Sequence, residues 1–367
     1  MSRLFTPLTL RDVTVRNRLW VSPMCQYSAV DGVPQEWHHT HLAQFASGGA
    51  GLIVAEATAV SPEGRISPED TGLWNDEQGD AWAPIVTAIR RRGAVAGVQL
   101  AHAGRKASTW SPYSGRRGSV AATDGGWSTV APSAIAFDGF AEPDALDVEG
   151  IDRIVAAFSS AARRAVAAGF QVLELHAAHG YLLHQFLSPL SNRREDDYGG
   201  SLENRMRLLV RVFDAVREAV SDRIAVGVRI SASDWVAGGW DIEQTTTLAH
   251  VLDARGCQFL HVSSGGNDPR QQIPLSPGYQ VPFAQAIKAH KLRMPVIAVG
   301  LITEPSQAES ILRHGHADAI ALARGILYDP RWPWHAAAAL GDSVAPAPQY
   351  LRCEPREARG VFIAPER

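Results

Sequence analysis

His176, His179 and Tyr181 fall within six residues of one another in the segment Leu173-Glu174-Leu175-His176-Ala177-Ala178-His179-Gly180-Tyr181. Two neighbouring imidazoles can bind an anionic or carbonyl oxygen, and a phenol beside them can deliver a proton. Two His at i, i+3 could also ligate a metal, which would need a third ligand. The other histidine cluster, Glu36-Trp37-His38-His39-Thr40-His41, lies on a separate helical stretch, where only His38 and His41 share a face. We read that cluster as helix surface or interface packing and expect no metal site. A structural, tautomer-locked role for His176 and His179 is the plainer alternative to oxygen recognition. A phenol with a reference pKa near ~10 needs a charged neighbourhood or a basic partner atom to act as an acid. Protonating a substrate carbon while a hydride arrives on the opposite face would meet that need.

These residues directly follow a strand-like run, residues 170–175, and seven similar runs are present: 18–24, 51–57, 94–100, 224–230, 258–262, 295–299 and 319–323. Helical stretches alternate with them at 37–47, 82–92, 148–168, 202–220, 245–255, 281–290 and 305–314. Strands alternating with helices argue for a parallel sheet, and eight such units favour a closed (β/α)8 TIM barrel. A doubly wound sheet is the rival, but its glycine-rich first turn is missing: the first run leads into Pro23-Met24-Cys25-Gln26-Tyr27. Leu8-Thr9-Leu10-Arg11-Asp12-Val13-Thr14-Val15 alternates around a charged turn, which predicts an N-terminal β-hairpin lid on the bottom of the barrel. A long loop after strand three, about His102 to Asp147, is rich in Gly, Ser, Pro and Thr and carries Trp110, Tyr113, Trp127 and Phe140. A loop of this length usually covers or binds something. After Tyr328, Trp332-Pro333-Trp334 precede a short alanine-rich helix and a proline-broken tail.

Composition narrows the partners. The 367 residues are 46% hydrophobic, with a net charge of -3 and no extended basic run, so nucleic acid is not expected. No window approaches the ~18 apolar residues of a spanning helix, and Met1-Ser2-Arg3-Leu4-Phe5 lacks a signal peptide's apolar core. With only three cysteines, Cys25, Cys257 and Cys353, this points to the cytoplasm and to at least one free thiol.

Other polar candidates lie at the C-terminal ends of the expected strands, which converge on one mouth in a barrel. They include Cys25 and Tyr27, Glu56 to Thr58, Gln99 and His102, Arg229, and Ser263 to Gly266. Val299-Gly300 and Ala323-Arg324-Gly325 offer bare backbone N–H groups and a guanidinium after strands seven and eight, where barrels often bind phosphate. Ordinary turn glycines with a surface-paired Arg324 are the alternative. Arg229 could favour electron density on a bound ring system, and Gln99 could offer donor and acceptor to a planar heterocycle.

The segment continues as His184-Gln185-Phe186-Leu187-Ser188-Pro189-Leu190-Ser191-Asn192-Arg193-Arg194-Glu195-Asp196-Asp197-Tyr198-Gly199-Gly200, and as a whole it resembles the Old Yellow Enzyme family of flavin ene-reductases. The resemblance runs from Leu4-Phe5-Thr6-Pro7-Leu8 to Ala323-Arg324. Ser22-Pro23-Met24-Cys25-Gln26-Tyr27 is similar to the thermophilic-like subgroup, which includes the bacterial xenobiotic reductases. The resemblance implies one FMN-binding domain over residues 1–367, with 331–367 as a tail at a subunit interface. Ser22, Pro23, Met24 and Cys25 would contact the isoalloxazine, Cys25 tuning its potential. Ala57 and Gln99 would complete the pyrimidine side, Arg229 would face N1 and O2, and Gly300, Ala323 and Arg324 would hold the phosphate. His176 and His179 would bind the carbonyl or nitro oxygen of an electron-poor alkene. Tyr181 would protonate Cα as reduced FMN gives hydride to Cβ, and Tyr27 would close over the substrate. NADPH would reduce the FMN first, in a ping-pong cycle at the same place. Tyr350-Leu351-Arg352 resembles an element that carries an arginine into the neighbouring active site of a homodimer or homotetramer.

Three rivals remain at this level. A phosphate-binding barrel lyase or isomerase would need a base in the mouth, and Lys106 is the only lysine near it. A larger relative that reduces dienoyl thioesters would need an iron–sulfur cysteine cluster and a second nucleotide domain, for which this chain lacks cysteines and length. A non-catalytic flavin-binding barrel would have no use for a proton donor.

Overall fold

The computed structural model describes residues 2–364; positions 365–367 of the expected tail lie outside them. Eight parallel strands close a barrel: β1 Leu19–Val21, β2 Leu52–Ala59, β3 Val95–Ala101, β4 Val172–Ala177, β5 Ala225–Ser231, β6 Leu260–Ser263, β7 Val296–Ala298 and β8 Ala319–Leu322. Neighbours in sequence pair in space, and β8 returns to β1 with Ile320 opposite Leu19 and Ala321 opposite Trp20. The expected (β/α)8 fold is therefore the one found.

Residues alternate between the inside of the barrel and its helical jacket because successive strand side chains point to opposite faces. The inward set at the bottom is apolar: Trp20, Leu52, Val54, Val95, Val172, Ala225, Phe259 and Ile297. Trp20 meets Phe259 edge-on at 5.2 Å between centroids. The hairpin, Leu8–Leu10 paired with Val13–Val15, adds Leu10, Val13 and Val15 to this cluster and so plugs the lower end.

The outward set packs on the helices α1 Glu36–Ser47, α2 Asp76–Arg90, α3 Val148–Ala167, α4 Leu182–Leu187, α5 Leu202–Ala219, α6 Ile242–Ala254, α7 Val281–Lys288, α8 Pro305–Arg313, α9 Arg324–Tyr328 and α10 Trp332–Leu340. In α3 the buried residues Ile151, Ile154, Phe158, Ala161, Ala162 and Ala165 recur at three- and four-residue steps, the stripe of a helix facing a core. Asp147, Ser201 and Asp241 begin α3, α5 and α6 by accepting a backbone N–H three residues on. α2 starts six residues before the sequence reading placed it, because Asn75 and Gln78 form a capping box there.

The N-terminal residues are tied to α8 and to the turn after α10. Glu309 accepts from the N–H groups of Arg3 and Leu4 at 2.8 and 2.9 Å, and Asp342 accepts from Ser2 at 2.6 Å.

Candidate active site

Towards the C-terminal ends of the strands the inward residues change from apolar to polar. Gln99 on β3, Glu174 and His176 on β4, Arg229 and Ser231 on β5, and His261 and Ser263 on β6 are all buried. Register sets their neighbours: Gln99 is opposite Glu174, His176 opposite Arg229, and Arg229 opposite His261. In β2 a bulge intervenes, since Ala55 pairs with Val98 and Ala57 with Gln99, leaving Glu56 as the extra residue. The carboxylate of Glu56 meets His38 Nε2 at 3.2 Å and accepts from the Gln26 N–H at 3.0 Å, which pins the loop after β1. His38 and His41 are buried, at 0% and 4% exposure, so of helix surface and interface packing the surface alternative fails for these two. His38 holds the loop that carries Cys25 and Tyr27.

After His176 the chain turns through His179 and Gly180, both at positive φ, 58° and 74°. A Cβ on Gly180 would stand 2.2 Å from the carbonyl oxygen of Gly266, so the loops after β4 and β6 touch backbone to backbone only because that residue is glycine. Lys106 Nζ ties the same two loops, donating to the carbonyls of His179 and Gly266 at 2.9 Å each. His184 Nδ1 accepts from the Gly180 N–H at 2.9 Å, and its Nε2 lies 2.9 Å from Asp234. Gln185 Nε2 donates to the Gly180 carbonyl at 2.7 Å and to that of Ala103 at 3.1 Å. The His179–Gly180 turn of the reactive segment is therefore held by side chains from outside it.

This scaffold brings the three reactive rings together. His176 and His179 are 5.1 Å apart and nearly perpendicular, and Tyr181 lies 4.9 Å from His176. His179 Nε2 is 2.7 Å from Ser263 Oγ. Burial first, and then the Arg229 charge, hold both imidazoles well below the usual histidine range. They are neutral near pH 7, and each carries one N–H to donate. Burial, with nearby acidic groups, pushes the Tyr181 phenol well above its ordinary value, so it keeps its proton. The Cys25 thiol is pushed up by burial and by Asp70 and Glu56.

Gly300, Ala323 and Arg324 line one cavity of about 260 Å³ with His179, Arg229 and Ser263. Gly300 sits at φ 117°, and a Cβ there would be 2.5 Å from Gln280 Nε2. Ala57 and Gln99 face each other across β2 and β3. Ser22 donates its N–H to the Leu322 carbonyl at 2.8 Å, which joins the 22–27 loop to the end of β8. Tyr27 is met edge-on at 5.8 Å by Tyr113 of the long loop. Ser22 Oγ, His176 Nδ1 and Arg229 Nε are buried without a protein partner. Such a set of unmet polar groups, beside a cavity with an arginine at its end, fits a planar heterocycle with a phosphate tail.

Arg352 is not brought to this mouth. It is exposed in a 3-10 turn, Pro348–Cys353, and residues 345–350 lie against Arg16, Ser47 and Arg92 at the opposite face of the barrel. That face holds a larger cavity, about 810 Å³, but it gathers no acid–base set, so size does not mark the site. Lys106, the base a lyase would require, has its ammonium committed to two carbonyls. Tyr279 and Gln280 line the active cavity and were not singled out from sequence, since they lie in an irregular stretch after β6. Glu174 and His261 did leave a signal: charged or ionisable residues at inward positions of otherwise apolar strands.

A family model described as "NADH:flavin oxidoreductase / NADH oxidase family" matches residues 3–342. The chain is 44% identical to an NADPH dehydrogenase of Geobacillus sp. (strain WCH70), over 95% of this chain and 98% of that one. It is 45% identical to an NADPH dehydrogenase of Listeria innocua, over 96% and 99%. The solved structure of morphinone reductase superposes with a TM-score of 0.78 at 32% identity, covering 95% of this chain and 92% of that one. With its barrel, its paired imidazoles and its phosphate-competent cavity, the chain belongs to this flavin oxidoreductase family, the Old Yellow Enzymes, and is an FMN-dependent, NADPH-oxidising ene-reductase.

Proposed function

We propose that the mouth reduces the activated C=C bond of α,β-unsaturated carbonyl or nitro compounds with His176, His179 and Tyr181 as its reactive set. The observation that carries this reading is the meeting of those three rings, two neutral donors and one protonated phenol, beside the Arg229–Arg324 cavity. FMN bound there and reduced by NADPH would supply the hydride to Cβ. The chain's own residues do the rest. His176 and His179 donate to the substrate oxygen and stabilise the charge that grows on it as the double bond is lost. Tyr181 gives its proton to Cα, and its raised pKa restricts that transfer to a carbon made strongly basic. Ser22, Pro23, Met24, Cys25, Ala57, Gln99 and Arg229 line the ring site, while Gly300, Ala323 and Arg324 take the phosphate. Tyr27 closes over the substrate, with Tyr113 behind it.

The similarity of Ser22-Pro23-Met24-Cys25-Gln26-Tyr27 supports assignment to the thermophilic-like subgroup and, with it, a homo-oligomer. In that assembly residues 331–367 form the interface and Arg352 enters a neighbouring copy's mouth. Its exposure at the face opposite its own mouth supports a contact made in trans. Three free cysteines support a reducing compartment, the cytoplasm. Anaerobic stopped-flow tests the core of this reading. The purified protein should be yellow, bleach with NADPH and recover its colour on adding 2-cyclohexenone. A protein that stays colourless after FMN is added overturns it.

A further inference from the structure

Below the mouth, the barrel interior contains a buried carboxylate that the proposed reaction does not use. Glu174 is 0% exposed, and both its oxygens are taken. Gln99 Nε2 donates to Oε1 at 2.8 Å, and His261 Nδ1 meets Oε2 at 2.8 Å. The three residues come from β3, β4 and β6. Gly227 on the intervening β5 is the cross-strand partner of Glu174 and has no side chain to fill the gap. A Cβ at Gly227 would fall 2.4 Å from the Phe259 ring, so nothing larger fits, and Glu174 reaches across β5 to His261.

Arg229 stands one inward position above Gly227 and is 7% exposed. A guanidinium in such a place normally takes a direct carboxylate partner, because an uncompensated buried charge costs several kcal/mol. Arg229 has none within 4.0 Å among the described residues, and its Nε is unpartnered. Glu174 is the leading source of favourable charge at Arg229, yet its oxygens are held by Gln99 and His261. The result is a cation balanced from below whose N–H groups stay free to point up.

We propose that Glu174, held off Arg229 by Gln99 and His261, is a buried counter-charge that keeps Arg229 available to the flavin and lowers the flavin's reduction potential. Glu174 is thus a positioning residue. The inference rests on Arg229 facing the ring system, as in the function proposed above. Removing the negative charge leaves Arg229 uncompensated, and it then stabilises the electron-rich reduced ring more strongly.

The test is the midpoint potential of the FMN-loaded protein, by anaerobic dye equilibration, for wild type, Glu174→Gln and Glu174→Asp. Glu174→Gln should raise the reduced-to-oxidised ratio at fixed poise roughly tenfold, about 30 mV for a two-electron couple. Glu174→Asp keeps the charge and should return most of that shift. His261→Leu removes the donor, frees one oxygen, lets Glu174 pair directly with Arg229, and should weaken FMN affinity about fivefold on titrating the apoprotein. A merely structural Glu174 would lower thermal stability in all three variants and leave potential and affinity where they were, and that result overturns the proposal. If Glu174→Gln does not fold, the His261→Leu titration decides: unchanged FMN affinity overturns it. A wild-type protein that binds no FMN fails the function reading instead.

Discussion

The lower and upper halves of the barrel interior are filled by opposite kinds of matter. Below, Trp20, Val54, Phe259 and the hairpin's Leu10 and Val15 pack without a polar group to satisfy beyond the indole N–H of Trp20. Above, Glu174, Arg229, His176 and His261 are buried as well but are polar and titratable. Apolar burial stabilises wherever it is put, at about 25 cal/mol per Å². Buried polar groups repay their desolvation only through specific partners. The upper half thus lowers stability in exchange for reactivity, and the lower half supplies the stability that tolerates it.

Three substitutions would sharpen or break this division. The largest effect is expected at Tyr181→Phe. Oxidation of the reduced protein by an enone should slow by roughly 10²–10⁴-fold, the usual weight of a positioned acid, while unfolding free energy shifts by less than about 1 kcal/mol. Unchanged enone turnover in stopped-flow would move the proton donor elsewhere. Next, Phe259→Ala at the bottom should lose about 3–5 kcal/mol in urea denaturation, with FMN bound per folded molecule unaltered. Loss of flavin in step with stability would mean the halves are not separable.

The third case is a carboxylate on the upper side. Burial and the neighbouring Glu56 raise Asp70 from 3.8 to about 7. Its folded form holds a proton that the unfolded chain has released, so stability is full below the unfolded value and falls as pH climbs towards 7. Wild type should lose up to about 4 kcal/mol relative to Asp70→Asn over that window, and no more above it. Parallel stability–pH curves for the two proteins, measured in urea, would show that Asp70 is ionised without penalty.

The barrel is legible in sequence because each strand is a compact β-branched run and each helix a periodic one. The reactive triad is legible because His176, His179 and Tyr181 are nearly contiguous. The supports are not. Gln99, Glu174 and His261 are joined across 75 and 87 residues, through barrel register and a missing side chain at Gly227. The Glu56–His38 contact depends on a one-residue bulge that no spacing reveals. Lys106 looks like a free base in sequence because the two backbone carbonyls that hold it carry no residue type.

The closure of β8 on β1 sets an order of events during synthesis. β1 leaves the ribosome early, but its partner edge, Ala319–Leu322, follows about 300 residues later, roughly 15–60 s at ordinary elongation rates. Until then Trp20 and one edge of β1 have no sheet to join, and the hairpin has no closed barrel to plug. Pairing so distant in sequence is slow to form and exposes strand edges while it waits. A nascent chain stalled before β8 would therefore be sticky, and a permuted chain whose ends lie in the exposed turn 113–118, with β8 made before β1, should move the waiting edge from β1 to β4, whose partner β3 would then be made last.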